Sequence, residues 1–171
     1  MSLSTRLLAA FGAAAAVAAI AAPAPAAAVP VGPYASICAA GKPAVLVRVS
    51  GFKAAKGSVV VKLYASNKTF LDKGAYLRKV EVAVNRAGPI DVCVPVPAQG
   101  NYALSVRHEI SGKKSMSDGG GFSGNPSVST MDMVLKRKPS LAKVSFQVAG
   151  STRVVPVVLR YLQGGSFRPV S

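Results

Sequence analysis

Acidic residues are scarce in this chain: six Asp and Glu stand against 21 Lys and Arg in 171 residues, with one histidine, two cysteines and no tryptophan. The six carboxylates are scattered among loops and outward strand positions, which gives no support to the facing pair that glycoside hydrolysis needs. His108 would have to serve any Ser-His-Asp hydrolase, and no nucleophile elbow accompanies it. A CxxC redox motif is absent. Gly119-Gly120-Gly121 lacks the following helix and the Lys-Ser/Thr pair of a phosphate cradle, so it reads as a flexible hinge. No aromatic stripe is interleaved with the basic residues, which argues against a nucleic-acid partner. The expectation is a domain without catalytic machinery or cofactor.

Long apolar runs are also missing, except at the start. Arg6 followed by Leu7 to Ala22 has the charged and apolar regions of a secretory signal peptide, and Ala26-Ala27-Ala28 fits a small-x-small cleavage site, so residues 1–28 are assigned as leader. The run is shorter than the ~20 residues that a spanning helix prefers. The expected location is the periplasm or the extracellular space. In an oxidising compartment Cys38 and Cys93 are expected to pair. Closing that loop of some 55 residues would stabilise the fold by about 4 kcal/mol on the chain-entropy account.

Arg6 is the only charged residue of the leader, so the remaining 143 residues carry a net charge of +14. Such a balance attracts anionic neighbours over a distance that salt controls. For an exported protein these are lipopolysaccharide, anionic lipid or acidic polysaccharide, or else another envelope protein. Most of the cations (Arg48, Lys62, Arg78, Lys79, Arg107, Lys143, Arg153, Arg160) fall at outward strand positions and read as a solvated face. Only Lys113-Lys114 and Lys136-Arg137-Lys138 cluster.

Beyond the leader, period-2 alternation dominates the chain. Residues 29–43, with three Pro and two Gly, read as an extended lead-in. Val45, Val47 and Val49 mark a first strand; Val59, Val61 and Leu63 mark a second, with Val60, Lys62 and Tyr64 facing outward, and the two are expected to form a hairpin. Phe70 and Leu71 are placed as a lid over one end of the core. Strands come next at Tyr76 to Val84 and at Ile90 to Val94. The strongest runs from Tyr102 to Glu109, with His108 on the inward parity at its end, where an imidazole bonded to a loop carbonyl is the expected role. Short strands are expected at Thr130 to Leu135 and around Val144, Phe146 and Val148. The last spans Arg153 to Leu162, and Pro156 confines it to an edge or a bulge. With no sustained 3.6-residue period, residues 44–162 are expected to form one antiparallel all-β sandwich of about seven or eight strands, Greek-key and immunoglobulin- or transthyretin-like, with 163–171 a flexible tail. A closed barrel is the alternative.

Any site is expected in the irregular stretch Ile110 to Pro126 and its flanks, since a loop longer than ~12–15 residues is usually functional or mobile. The candidate contact residues are His108, Glu109, Lys113, Lys114, Asp118 and Phe122. His108 with Met116, Met131 and Met133 also forms an imidazole and thioether set suited to Cu(I), and strand spacing would put Met131 and Met133 on one face.

Gly100, Tyr102, Ala103, His108, Gly112, Gly121-Phe122-Ser123, Asn125, Pro139-Ser140-Leu141, Val144 and Phe146 occur in the order of an exported bacterial family, DUF2141, which the chain resembles from about Ala44 to Leu162. The resemblance implies a compact β-sandwich of the cell envelope without an assigned activity. Its loop resembles an acidic, calcium-type run with oxygen ligands at alternate positions. This chain departs from that run: Lys113 stands where a ligand oxygen belongs, and only Glu109 and Asp118 keep carboxylates.

Overall fold

The computed structural model describes residues 29–86, 88–112 and 114–170; the expected leader at 1–28 lies outside them. In chain order the elements are α1 (Ala35–Ala39), β1 (Ala44–Ser50), β2 (Ser58–Ala65), β3 (Arg78–Ala83), β4 (Ile90–Pro95), β5 (Gly100–Glu109), β6 (Gly119–Phe122), α2 (Thr130–Val134), α3 (Leu141–Val144), β7 (Phe146–Val148), β8 (Arg153–Val158), β9 (Tyr161–Gln163) and β10 (Ser166–Arg168). The all-β, sandwich-like class expected from the alternation is the class observed.

Two sheets face each other. One has the order β4-β1-β8; the other runs β3-β2-β5-β6, with β7 also paired to β5, and β9 and β10 form a separate hairpin. Inward valines of β1, β4 and β8 meet inward Val59, Val61, Leu63, Leu104 and Val106 of the opposite sheet in one apolar core. The β-branched side chain is stiff and suits a pleated, half-buried surface, which is why valine alternation alone specifies these strands.

Several expectations change in detail. β1 and β2 do not form a hairpin: β1 pairs antiparallel with β4 and parallel with β8, while β2 pairs with β3 and β5 in the other sheet. The connection between them crosses the sandwich and ends at Gly57. There φ is +79°, and a Cβ would lie 2.1 Å from the Glu109 carbonyl oxygen, so only glycine fits. Pro156 sits on β8, at the edge of its sheet, as its missing N–H requires.

Short helices replace coil or strand at three places. The lead-in is not extended throughout, because α1 lies within it and packs Cys38 on Cys93 and Ala44. The Cys38–Cys93 disulfide is formed, with Cα atoms 5.9 Å apart. Thr130 to Val134 is helical because Ser129 and Asp132 make a reciprocal capping box, and Val144 ends α3 instead of opening a strand. The segment at 163–171 is not simply a tail, since Gly164-Gly165 is the two-residue turn of the β9–β10 hairpin.

The side of the five-stranded sheet that faces away from the core is not open to water along its whole length. Val60 and Tyr64, expected to face solvent, do lie on that outer side, yet they are 5% and 4% exposed. Phe70 packs edge-on against Tyr64, and with Ala103 and Val144 they form a second apolar cluster flanked by Leu71, Phe122 and Leu141. Phe70 and Leu71 are therefore a lid as expected, but over the outer face of the sheet.

Candidate functional site

β5 divides the candidate residues by parity. His108 points into the core and is fully buried, whereas Ser105, Arg107 and Glu109 belong to the outer face. The Lys56 carbonyl can only accept, which puts the imidazole proton on Nε2 and leaves Nδ1 to accept the Tyr161 hydroxyl at 2.7 Å; that hydroxyl oxygen in turn accepts the Lys53 backbone N–H at 3.1 Å. His108 Nε2–H donates to the Lys56 carbonyl at 2.8 Å. This is the loop-carbonyl role expected for the imidazole. Phe52 packs edge-on against the ring at 5.1 Å. Both nitrogens are thus committed to joining β5, the crossing connection and β9.

The three methionines are elsewhere. Met116, Met131 and Met133 are 70%, 59% and 51% exposed, and Met116 and Met133 line the outer-face groove, across the sheet from buried His108. Met131 and Met133 lie two apart on a helix, so they do not share a face as a strand would arrange. The structure does not bring the copper set together, and among the described residues no three His, Cys, Asp or Glu are placed to hold a metal ion.

The remainder of the candidate loop closes on Asp118. This carboxylate, 7% exposed, accepts the backbone N–H groups of Ser115 at 3.0 Å and Ile110 at 3.3 Å, the Ser115 hydroxyl at 3.2 Å, and Arg107 Nε at 3.3 Å. Burial pulls its proton affinity upward. The hydrogen bonds and the guanidinium outweigh that and hold the carboxyl below its usual value. Arg107 also faces Glu109 at 3.9 Å, so one guanidinium lies against both carboxylates that the calcium-type reading would use.

After the Asp118 turn the chain returns as β6, and the glycine run is an edge strand, not a hinge. Its register sets Gly119 against His108, Gly120 against Arg107, Gly121 against Val106 and Phe122 against Ser105. A Cβ on Gly119 would lie 2.5 Å from the Tyr161 ring, and one on Gly121 would lie 2.7 Å from the Val157 side chain. Glycine is therefore required at both inward positions. Gly120 points outward, where a Cβ meets nothing closer than the Val106 carbonyl at 3.9 Å. It bonds in both directions with the Arg160 backbone, which extends the outer face by one residue.

Across that face the rows are consequently Lys79, Lys62, Ser105, Phe122 and then Glu81, Val60, Arg107, Gly120, Arg160. A groove of about 420 Å3 lies over them. Val60, Tyr64, Gly120 and Phe122 contribute to its floor; Leu71, Val128, Met133, Pro139 and Phe167 rise around it, and Lys62, Arg107, Lys114, Arg137 and Arg160 line it with Glu109 and Asp118. Each of the six acids of the chain is within ion-pair distance of a Lys or Arg, at Asp72, Glu81, Asp91, Glu109, Asp118 and Asp132. Among the described residues, Lys62, Lys114 and Arg160 have no such carboxylate partner. Burial first, and then Lys114, Lys79 and Arg107, make the Lys62 ammonium easier to deprotonate than usual.

Of the expected contact residues, the groove gathers Glu109, Lys114, Asp118 and Phe122; His108 belongs to the core, and Lys113 lies outside the described residues. Sequence reading misses Val60, Tyr64, Gly120 and Phe167, and takes Lys62 and Arg160 for a solvated face. Outward parity on adjacent strands is the available signal for the two cations. For Gly120 there is none, because a glycine carries no periodicity.

Two substitutions separate structural from binding roles. His108→Ala leaves the Lys56 carbonyl without its donor and the Tyr161 hydroxyl proton without its acceptor, and opens a cavity, so the loss expected in denaturant unfolding is about 2–4 kcal/mol. A fold unaffected by the change would contradict the core role. Asp118→Asn is expected to cost about 1–2 kcal/mol at neutral pH. A carboxyl with a lowered folded-state pKa stabilises above its unfolded value and loses that contribution as pH falls through the folded value, so the gap between variant and native should close below about pH 4. A gap constant from pH 7 to pH 3 would contradict this.

The residues of the family resemblance are mostly structural here. Ser123 Oγ accepts the Leu104 N–H and donates to the Val144 carbonyl, while the Asn125 amide pairs with the free edge of β8 at Pro156 O (3.2 Å) and Val158 N (2.7 Å). The family model that matches spans residues 47–155 and describes an uncharacterized protein conserved in bacteria. No curated protein and no solved structure matches the chain. With the match covering most of the sandwich, from β1 into β8, the chain belongs to the DUF2141 family.

Proposed function

We propose that this is a non-catalytic, exported domain of the cell envelope that binds an anionic envelope component in the groove on the outer face of its five-stranded sheet. The observation that carries the reading is the composition of the groove: an apolar floor bordered by cations, three of which lack a carboxylate partner among the described residues. Clustered like charges repel one another, and Lys62 directly opposite Lys79 is an unfavourable cross-strand pair that an anion would relieve. Export is supported by the Cys38–Cys93 disulfide, which persists where thiols are not kept reduced. Among the described residues no helix is long and apolar enough to cross a membrane.

Lipopolysaccharide and acidic polysaccharide are the partners of matching charge. A small ligand in this groove is favoured over a broad protein interface by the groove volume, about 420 Å3, which falls in the ~300–1000 Å3 range of ligand clefts. The test is retention on immobilised lipopolysaccharide and on an acidic glycan as salt is raised. Native protein is expected to be held at low salt and released at high salt, with Lys62→Ala/Lys114→Ala/Arg160→Ala released earlier at unchanged stability. Failure of the native protein to be retained on either matrix would contradict the proposal.

A further inference from the structure

We infer that the groove takes a single-chain anionic amphiphile, with its hydrocarbon tail on the sheet and its carboxylate or phosphate head among the cations that lack a carboxylate partner. This rests on the anion-binding reading above and adds the tail.

Gly120 is the decisive position. Its neighbours Gly119 and Gly121 must lack side chains, because a Cβ would meet Tyr161 at 2.5 Å or Val157 at 2.7 Å. Gly120 has neither constraint: its φ is not positive and the space above it is empty to 3.9 Å. Any side chain placed there would project into the groove between Arg107 and Arg160, on the same side of β6 as Phe122, and take up space in it. The bare position preserves an apolar depression on a strand whose other outward residue is aromatic.

Charge alone would serve an acidic sugar chain; the apolar floor adds a surface that suits a hydrocarbon tail. Such a sugar chain is held by cations and hydrogen-bond donors at a wet surface, whereas here Val60, Tyr64 and Phe122 lie beneath the cations and Met133 and Phe167 stand beside them. Methionine is flexible and polarizable, which suits contact with a mobile chain. Lys62 and Arg160 occur in adjacent rows of the same face, on opposite sides of Gly120 and its β5 partner Arg107, so a head group held by either leaves the floor between them to the tail. The ligand class is therefore a fatty acyl carboxylate or a monoacyl phosphate.

Calorimetric titration of the native protein with the saturated carboxylates decanoate, dodecanoate and tetradecanoate, each below its micellar concentration, tests the inference. Affinity is expected to rise roughly ten-fold for each two methylenes added. Dodecanol, which has the chain without the charge, should bind at least ten-fold more weakly than dodecanoate, and Gly120→Leu should weaken dodecanoate at least ten-fold while thermal unfolding stays within a few degrees of native. The chain-length series needs no variant, so it decides even if Gly120→Leu folds poorly. Absence of carboxylate binding, affinity independent of chain length, or equal binding of dodecanol would overturn the inference. If native protein and Gly120→Leu are retained equally on lipopolysaccharide while carboxylates fail to bind, the tail is refuted and the anionic reading stands. Loss of retention and of carboxylate binding together removes both.

Discussion

A strand built from glycine is the constraint on which the arrangement depends. β6 can lie against the corner where β8 turns into β9 only because Gly119 and Gly121 have no side chains to meet Tyr161 and Val157. That close approach lets Gly120 exchange backbone hydrogen bonds with Arg160 and brings the two sheets together along one side of the sandwich. Tyr161, held in place by the glycines, supplies the hydroxyl that fixes His108. The same backbone path carries Arg160 onto the outer face and leaves a bare position between it and Arg107. Core closure and groove formation are thus two consequences of one packing requirement.

The two faces of β5 divide the work. Its inward parity is spent on the core, ending in a histidine whose nitrogens are both bonded. Its outward parity supplies Ser105, Arg107 and Glu109 to the groove, with Arg107 compensating the carboxylates at the two ends of the turn that follows. The opposite sheet shows a simpler outer face. There Asp91, fully buried, receives a two-point contact from Arg48 at 3.0 and 2.8 Å, and α1 is held over Cys93 by the disulfide. Charge on that side is neutralised locally. On the groove side it is left in excess.

The sandwich is legible in the sequence because valine alternation is a strong signal with one structural meaning. Val45 to Val49, Val59 to Leu63, Ile90 to Val94 and Tyr102 to His108 all lie on the faces that parity assigns them. What escapes has particular causes. Sheet membership depends on long-range pairing, so β1 and β2, close in sequence, read as a hairpin although the glycine-ended connection carries the chain to the other sheet. β6 has no side chains at three of its four positions, hence no period to detect. The capping box at Ser129 and Asp132 and the Gly164-Gly165 turn are present in the sequence and specify α2 and the terminal hairpin; both are easily passed over because the elements they bound are only a few residues long. The groove is hidden for a different reason: parity shows that Val60 and Tyr64 point outward, but not that Phe70 and its neighbours return to cover that side.

The central claim is that recognition belongs to the outer face of the five-stranded sheet. It is tested most directly by amide chemical-shift mapping of the isotope-labelled protein during titration with lipopolysaccharide fragments. The largest changes are predicted at Val60, Lys62 and Tyr64 of β2, Ser105 and Arg107 of β5, and Gly120 and Phe122 of β6. Changes confined to the Arg48 and Asp91 side of the other sheet would contradict it.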